Sequence, residues 1–244
     1  MKKMMFALVL ALAVSACGAA MAEQGVAYGV YNQGSEQPDS LIRVTLDCDG
    51  AQVTGAQIDE KLIPYSAGGA EGWAELDDET AAKLGGAVLT VGEKKYPQSF
   101  ELGGVTFVGA AEESGLAYTG EVNGETVNLM DYICTDEGGA WYYASNPATL
   151  LNAQGEAAVE IEIGTKASIE HGVAFWPSDI KFPGNIERIE NYLTENGVNY
   201  TEEQIAKGED GVWAVADVTT GATLAGTKNY LLIAQRAYEN AQGK

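Results

Sequence analysis

Short runs of alternating polar and apolar residues, joined by two-residue turns, constrain the fold of this 244-residue chain most strongly. Residues 41–46 are followed by Asp49-Gly50 and then by a second run over residues 52–58. Asn123-Gly124 separates another two such runs. Asp-Gly and Asn-Gly supply the positive φ angles of the tight turns between antiparallel strands. The sequence therefore predicts two β-hairpins.

The same alternation predicts the strands in the middle of the chain. Residues 100–108, 116–121 and 126–132 alternate polar and apolar side chains, and Gly103-Gly104 offers another turn. Charged and apolar residues alternate over 156–163, which is typical of a half-exposed strand. Residues 211–216 predict one more strand.

Helices are predicted where apolar residues recur every three or four positions or where a capping residue opens a run. One spans residues 77–84, with Asp77 or Asp78 as N-cap, and two longer ones span 186–196 and 228–240. Helical segments are also predicted over 140–144, 146–152 and, from the capping box Thr201–Gln204, over 201–207. The fold class is α+β, with antiparallel strands and hairpins and packed helices.

The first residues have the pattern of an export signal. Lys2 and Lys3 precede an apolar stretch of about ten residues, half the length of about twenty that a membrane-spanning helix needs. Residues 14–18, Val-Ser-Ala-Cys-Gly, resemble the lipobox of bacterial lipoproteins. We therefore predict a lipoprotein signal peptide over residues 1–16, a lipid on Cys17, a tether over 17–40, and regular structure from Leu41. An A-x-A pattern at residues 20–22 leaves a second cleavage open, which would release a soluble protein beginning at Glu23.

The net charge and the histidine and cysteine content limit the binding partners, metal sites and disulfides that this chain can have. The chain has 14 basic and 35 acidic residues and a net charge of −21, which argues against nucleic acid or anionic lipid as charge-driven partners. Such a charge suits a basic protein partner, or simply keeps the protein soluble. With a single histidine, a zinc or haem site built by this chain is not expected. Apart from Cys17, the cysteines are Cys48 and Cys134, which could form a disulfide or remain as buried thiols.

A seven-residue run near the C-terminus, Asp217 to Thr223 (Asp-Val-Thr-Thr-Gly-Ala-Thr), gives the strongest indication of function in the sequence. It resembles the D-x-x-[ST]-G-A-[ST] signature of bacterial FMN-binding domains. In that family, FMN is joined by a phosphoester to the hydroxyl of the last residue, here Thr223. Gly221 allows backbone angles closed to other residues, and Ala222 adds little bulk. A turn in which Thr223 merely caps the following helix is the alternative interpretation.

The resemblance implies a cofactor site and a modifying enzyme. The cofactor-binding residues would be Asp217, Thr220, Gly221, Ala222 and Thr223. A flavin transferase, which takes FMN from FAD, would recognise Asp217. A strand before the run and a helix after it would place Thr223 at a helix N-terminus, which favours a phosphate. Candidates for contact with the flavin ring are Trp213, Lys228, Asn229 and Tyr230. Core packing is expected for the aromatic pairs near residues 141–143 and 175–176.

Together these features predict an exported, lipid-anchored flavoprotein, periplasmic or at the cell surface, with covalent FMN on Thr223. It would carry electrons between the membrane and extracytoplasmic redox proteins such as cytochromes or membrane oxidoreductases, and would not be an enzyme by itself. Residues 41–244 would form one FMN-binding-like domain, elaborated over 61–204. The main alternative is a cofactor-free lipoprotein module that binds a small molecule or a partner protein. A hydrolase is disfavoured because no G-x-S-x-G motif is present and His171 is the sole histidine.

Overall fold

The computed structural model describes residues 23–30, 40–63, 76–112, 115–166 and 180–244. Of these residues, about 29% lie in helices and 42% in strands, and the sheets are antiparallel. The predicted mixture of helices with antiparallel sheets is therefore confirmed. The predicted signal peptide, Cys17, His171 and the aromatic pair at 175–176 lie outside the described residues.

The first sheet contains the predicted N-terminal hairpin and one strand more. Its strands pair in the order β1 (Glu23–Val30), β2 (Ser40–Asp49) and β3 (Gln52–Leu62). Gly50 has a φ of 57° in the turn between β2 and β3, as the Asp-Gly pair predicts.

Strand β1 corrects the expectation that regular structure begins at Leu41, because residues 23–30 of the predicted tether are a strand paired along its length with β2. The glycines of this segment allow close packing. A Cβ on Gly25 would lie 1.8 Å from the carbonyl oxygen of Ala237, and one on Gly29 would lie 2.7 Å from Cδ1 of Ile233. Glycine here lets a helix approach the backbone of the strand.

The middle of the chain folds into a short helix, a hairpin and a six-stranded sheet. The helix α1 (Asp78–Lys83) is capped by Asp77, as predicted, and β4 (Val88–Val91) pairs with β5 (Lys94–Pro97). The order in the large sheet is β11-β10-β6-β7-β8-β9. Its strands are β6 (Ser99–Leu102), β7 (Val105–Glu112), β8 (Gly115–Val122), β9 (Glu125–Asn128), β10 (Ala148–Leu151) and β11 (Ala157–Ile161). The hairpin at Asn123-Gly124 is confirmed.

Two helices, α2 (Leu129–Ile133) and α3 (Asp136–Ala144), lie between β9 and β10. The strand predicted over 126–132 is wrong after Asn128, because the Asn128 side chain accepts a hydrogen bond from the backbone N–H of Met130 (2.9 Å) and begins α2. The helix predicted over 146–152 is wrong because residues 148–151 form a strand that pairs with β11, and residues 148–150 also pair with β6 on the other side.

The C-terminal part begins with α4 (Lys181–Asn196) and ends with α5 (Thr227–Ala241), which confirms both predicted long helices and lengthens them. The capping box at Thr201 and Gln204 is present. It opens only a 3₁₀ turn, Glu202–Gln204, and the chain then enters a small sheet instead of continuing as a helix. That sheet pairs in the order β12 (Ile205–Lys207), β13 (Trp213–Val215) and β14 (Val218–Thr219).

Two apolar cores share the first sheet. Ile42 and Val44 lie in one core with residues of α4 and α5. Leu41 and Leu62 lie in the other core, with residues of the six-stranded sheet, α2 and α3. Successive residues of a strand point to opposite faces, so alternate positions of β2 serve different cores. Residues 76–163 of the segment predicted as an elaboration therefore pack on one face of this sheet, whereas α4, which belongs to the same segment, packs on the other face with α5.

Both remaining cysteines are free thiols. Cys48 is buried in the first core, and Cys134 is half-buried after α2. Burial raises the pKa of each thiol. Of the two alternatives left open by the sequence, the structure has the unpaired thiols.

Candidate functional site

The Asp217–Thr223 run forms the second half of a hairpin and the loop that leaves it. Val215 pairs with Val218, so Ala216 and Asp217 make the turn, and Ala216 has a φ of 51°. Asp217 is exposed at the tip. The side chain that the family resemblance assigns to enzyme recognition is therefore accessible.

Hydrogen bonds to Trp213 hold the middle of the run in place. The backbone N–H and the hydroxyl of Thr220 each donate to the carbonyl oxygen of Trp213, both at 2.8 Å. The N–H of Trp213 donates to the carbonyl oxygen of Ala222 at 2.9 Å, and Ala222 is fully buried. Gly221 has a φ of 71°, which a residue with a side chain rarely adopts. The loop is thus fixed to β13 on both sides of Gly221.

Thr223 is held by Asn185 of α4. The Oδ1 atom of Asn185 accepts hydrogen bonds from the backbone N–H of Thr223 at 2.6 Å and from its hydroxyl at 3.2 Å. Asn185 is fully buried, and its Nδ2 donates to the carbonyl oxygen of Lys181 at 2.7 Å. A buried amide with partners at both ends has a defined orientation. The side-chain oxygen of Thr223, which is half-buried, is thereby fixed in position.

Arg188, one turn further along α4, places a cation beside the same loop. Its Nη1 donates to the carbonyl oxygen of Gly221 at 2.6 Å, and its Cδ lies 3.3 Å from the position of a Cβ on Gly221. A guanidinium group is well suited to phosphate because its donors form a planar fork. We did not predict Asn185 and Arg188 from the sequence. Their spacing of three places them on one side of a helix, but nothing local indicates that this side meets residues 221–223.

The helix next to Thr223 differs from the expectation. We expected Thr223 at the N-terminus of the final helix, but α5 begins four residues later, at Thr227. The described hydrogen bonds of Thr223 go to the beginning of α4 instead. The first turn of α4 contains no acidic residue, so the positive end of its dipole is not offset there.

A cleft of about 220 Å³ lies between α4 and β14, adjacent to the loop. Its lining residues are Arg188, Asn191, Tyr192, Glu195, Asn196, Val218, Thr219 and Thr220. Sites that enclose drug-sized ligands usually measure about 300–1,000 Å³. The cleft is therefore smaller than a site that encloses a ligand of that size.

Three of the four residues predicted to contact the flavin ring have partners away from the cleft between α4 and β14. Tyr230 is buried and its hydroxyl donates to Oε1 of Glu60, while Lys228 pairs with Glu202 at 2.8 Å. Asn229 donates to the carbonyl oxygen of Val30 at 3.3 Å.

Trp213 packs against the first core, and its indole N–H is buried without an acceptor in the described part of the chain. None of these four residues lines the cleft between α4 and β14. Trp141 packs against the second core, where it contacts Phe107, as expected from core packing, and it also contacts Tyr132.

No family model, curated protein or solved structure matches this chain. None of the helices within the described ranges is long and apolar enough to cross a membrane.

Proposed function

We propose that this chain is an exported, lipid-anchored flavoprotein that carries FMN on Thr223 through a phosphoester. It transfers electrons between the membrane and extracytoplasmic redox proteins. The observation that carries the proposal is the fixed hydroxyl of Thr223, hydrogen-bonded to the buried Asn185 beside the guanidinium of Arg188. The flavin supplies the redox chemistry, and the protein holds it and adjusts its surroundings.

Three properties of the loop support attachment at this residue. The Thr223 side-chain oxygen can serve as the nucleophile toward phosphorus, and Asn185 orients it. Arg188 offers a positive charge next to Gly221, where an anionic phosphoester on Thr223 would be stabilised. Asp217 is accessible at the hairpin tip, so a modifying enzyme can reach it.

The attachment reaction balances with a flavin transferase and FAD as co-reactants. The oxygen of Thr223 forms a bond to the FMN phosphorus while the phosphoanhydride bond of FAD breaks. AMP leaves, and the hydroxyl proton passes to the transferase. Within this chain, Asn185 would orient the hydroxyl, and Arg188 would offset the charge of the product.

The test is the intact mass of the protein produced together with a bacterial flavin transferase. The wild type should gain the mass of FMN less one water and turn yellow. Thr223→Ser should keep the increment, because it keeps the hydroxyl, and Thr223→Ala should lose it. Thr194→Ala is the matched control, because it removes an exposed hydroxyl from α4 and should leave the increment unchanged.

An unmodified wild-type mass, obtained with a transferase that modifies a known substrate in the same cells, would overturn the proposal. The cofactor-free binding module would then be the better account, with residues 217–223 as a structural turn.

A further inference from the structure

The outward face of the six-stranded sheet carries a row in which glutamate and threonine alternate from one edge to the other. We call it the Glu/Thr row. It takes one residue from each strand, in the order Glu160, Thr149, Glu101, Thr106, Glu121 and Thr126.

The pairing of the strands defines the row. Thr149 is opposite Glu160 on one side and Glu101 on the other. Glu101 is opposite Thr106. The β7–β8 register continues by one residue from its Phe107–Gly120 pair and so sets Thr106 against Glu121, which in turn is opposite Thr126.

The glutamates of the row have no cationic partner among the described residues. Glu101, Glu121 and Glu160 are exposed, and none forms an ion pair or hydrogen bond with any described residue. The next row on the same face contains no Lys or Arg either; its members are Ser99, Val108, Thr119 and Asn128. Sheets stabilised by charge usually place opposite charges across from one another. This face presents one sign of charge only.

The spacing of the row limits the repulsion between its three carboxylates. Neighbouring strands are about 4.8 Å apart, so successive glutamates are separated by about 9.6 Å. That distance is close to the screening length of about 8–10 Å at ordinary salt concentrations, so their mutual repulsion is weak. Each glutamate also faces a hydroxyl rather than a like charge, which avoids a destabilising cross-strand pair. The result is a line of negative charge across the sheet.

An apolar side chain and a shallow concavity lie beside this line. Val108 is 51% exposed, one of two exposed large apolar residues in the described part of the chain. A depression of about 490 Å³ is lined by Val108, Thr119 and members of the row, among them Thr106 and Glu121. An apolar centre with a charged rim is the usual composition of a protein interface.

We propose that this face docks a protein that presents a stripe of Lys or Arg side chains around a small apolar contact. A helix with basic residues seven positions apart repeats its charges every 10.5 Å or so, which matches the glutamate spacing to about 1 Å. The apolar contact is small, so the complex is weak, rapidly formed and sensitive to salt. The net charge of −21 steers a basic partner toward the protein, and the row determines where it binds. The proposal goes beyond the electron-carrier function and does not require the flavin.

The test uses a basic protein, mitochondrial cytochrome c, as the probe for the full-length protein. Its dissociation constant is measured at 20 and 200 mM salt for the wild type and for the variant Glu101→Gln, Glu121→Gln, Glu160→Gln. A matched control, Glu93→Gln, Glu209→Gln, Glu239→Gln, removes the same charge from exposed positions elsewhere. The row variant should bind about tenfold more weakly at low salt and lose most of the salt dependence, whereas the control should change less than about twofold.

Carbodiimide cross-linking of the same complex locates the contact directly. Cross-links from lysines of the probe should fall on Glu101, Glu121 and Glu160. Equal weakening in the two variants, or cross-links confined to other carboxylates, would overturn the proposal. Binding to the row by the unflavinylated protein would support it even if Thr223 is never modified, so the two proposals fail separately.

Discussion

At the scale of the residue, Lys61 is a buried ammonium that closes the end of a helix. Its Nζ donates to the carbonyl oxygens of Tyr142 at 2.8 Å and Ser145 at 2.7 Å, at the C-terminus of α3. Cations are favourable there because the last carbonyls lack helical partners. Burial nevertheless lowers the pKa of Lys61 to about 8.

This pKa predicts a pH dependence with a defined sign. Between pH 8 and about 10.5, the folded protein has lost a proton at Lys61 that the unfolded chain still holds. The free energy of unfolding of the wild type, minus that of Lys61→Met, should therefore rise with pH across this window. Urea unfolding at pH 7, 9 and 10 measures it. The same difference for Lys83→Met should stay flat up to about pH 10, because the hydrogen bond that Lys83 donates to Glu79 raises the pKa of Lys83. A flat Lys61 difference would contradict the assignment.

Glu60 and Lys166 form a buried ion pair with neutral donors around it. The Nζ of Lys166 lies 2.8 Å from Oε2 of Glu60, and the two side chains are 4% and 1% exposed. The hydroxyls of Ser40 and Tyr230 also donate to Glu60. The carboxylate thereby connects β2 and β3 to Lys166 and to α5.

Lys166→Met should destabilise the protein by about 3–5 kcal/mol, because it leaves the Glu60 carboxylate buried without its cation. Adding Glu60→Gln should restore part of the loss, since the uncompensated charge is then absent. Lys83→Met, which removes an exposed pair with Glu79, should destabilise the protein much less. Chemical denaturation of the four proteins gives these values. A Lys166→Met cost no larger than that of Lys83→Met would refute the role of the pair.

At the scale of the element, β1 depends on the glycines that face α5. The Asn240 side chain adds a hydrogen bond from α5 to the carbonyl oxygen of Val26 at 2.7 Å, and that of Arg236 adds one to Tyr28 at 2.8 Å. The helix can come this close only because Gly25 has no side chain.

Gly25→Ala should therefore destabilise the protein by at least about 1–3 kcal/mol, because the methyl group would overlap backbone atoms of α5. Gly55→Ala in β3 is the control. Its methyl group would meet only the flexible side chain of Asp47, so the change should be within about 0.5 kcal/mol. Thermal and urea unfolding compare the two, and an equal effect would show that β1 does not depend on this close approach.

At the scale of the whole molecule, the two cores are joined through one sheet. Leu41 and Ile42 are consecutive in β2, are both fully buried, and belong to different cores. Loss of packing on one face of β2 therefore weakens the support of the other. We expect one cooperative unfolding transition rather than two.

Two tryptophans can report on this coupling, since Trp213 packs against the first core and Trp141 against the second. Of these two tryptophans, one variant retains only Trp213 and another retains only Trp141. Their fluorescence should report the same midpoint of unfolding. Leu150→Ala, a change in the second core, should lower the midpoint seen by Trp213 as well, at a cost of about 2–5 kcal/mol. Unequal midpoints for the two tryptophans, or a midpoint at Trp213 that Leu150→Ala does not change, would show that the two cores unfold independently.

Local patterns were sufficient for the elements whose cause is local. The Asp49-Gly50 and Asn123-Gly124 turns, the cap at Asp77 and the two long C-terminal helices follow from residues within a few positions of one another. Propensity was misleading where pairing decided the conformation. Residues 148–150 were expected to be helical, but they pair on both edges with strands from elsewhere in the chain. The resemblance of residues 217–223 to a known signature was visible in the sequence, while their contacts with Asn185 and Arg188 were not.

The sequence by itself determined the hairpins, the long helices and the one run that suggests a phosphoester-linked cofactor, because each depends on residues close together in the chain. It also determined the acidic charge, which depends on composition alone. Only the tertiary structure decided that Asn185, 38 positions away, holds Thr223, that Gly25 belongs to a strand, and that glutamate and threonine alternate across six strands. These contacts depend on how helices and strands from separate parts of the chain pack and pair. Such packing is set by the shape and burial of whole surfaces rather than by the order of residues along any one of them.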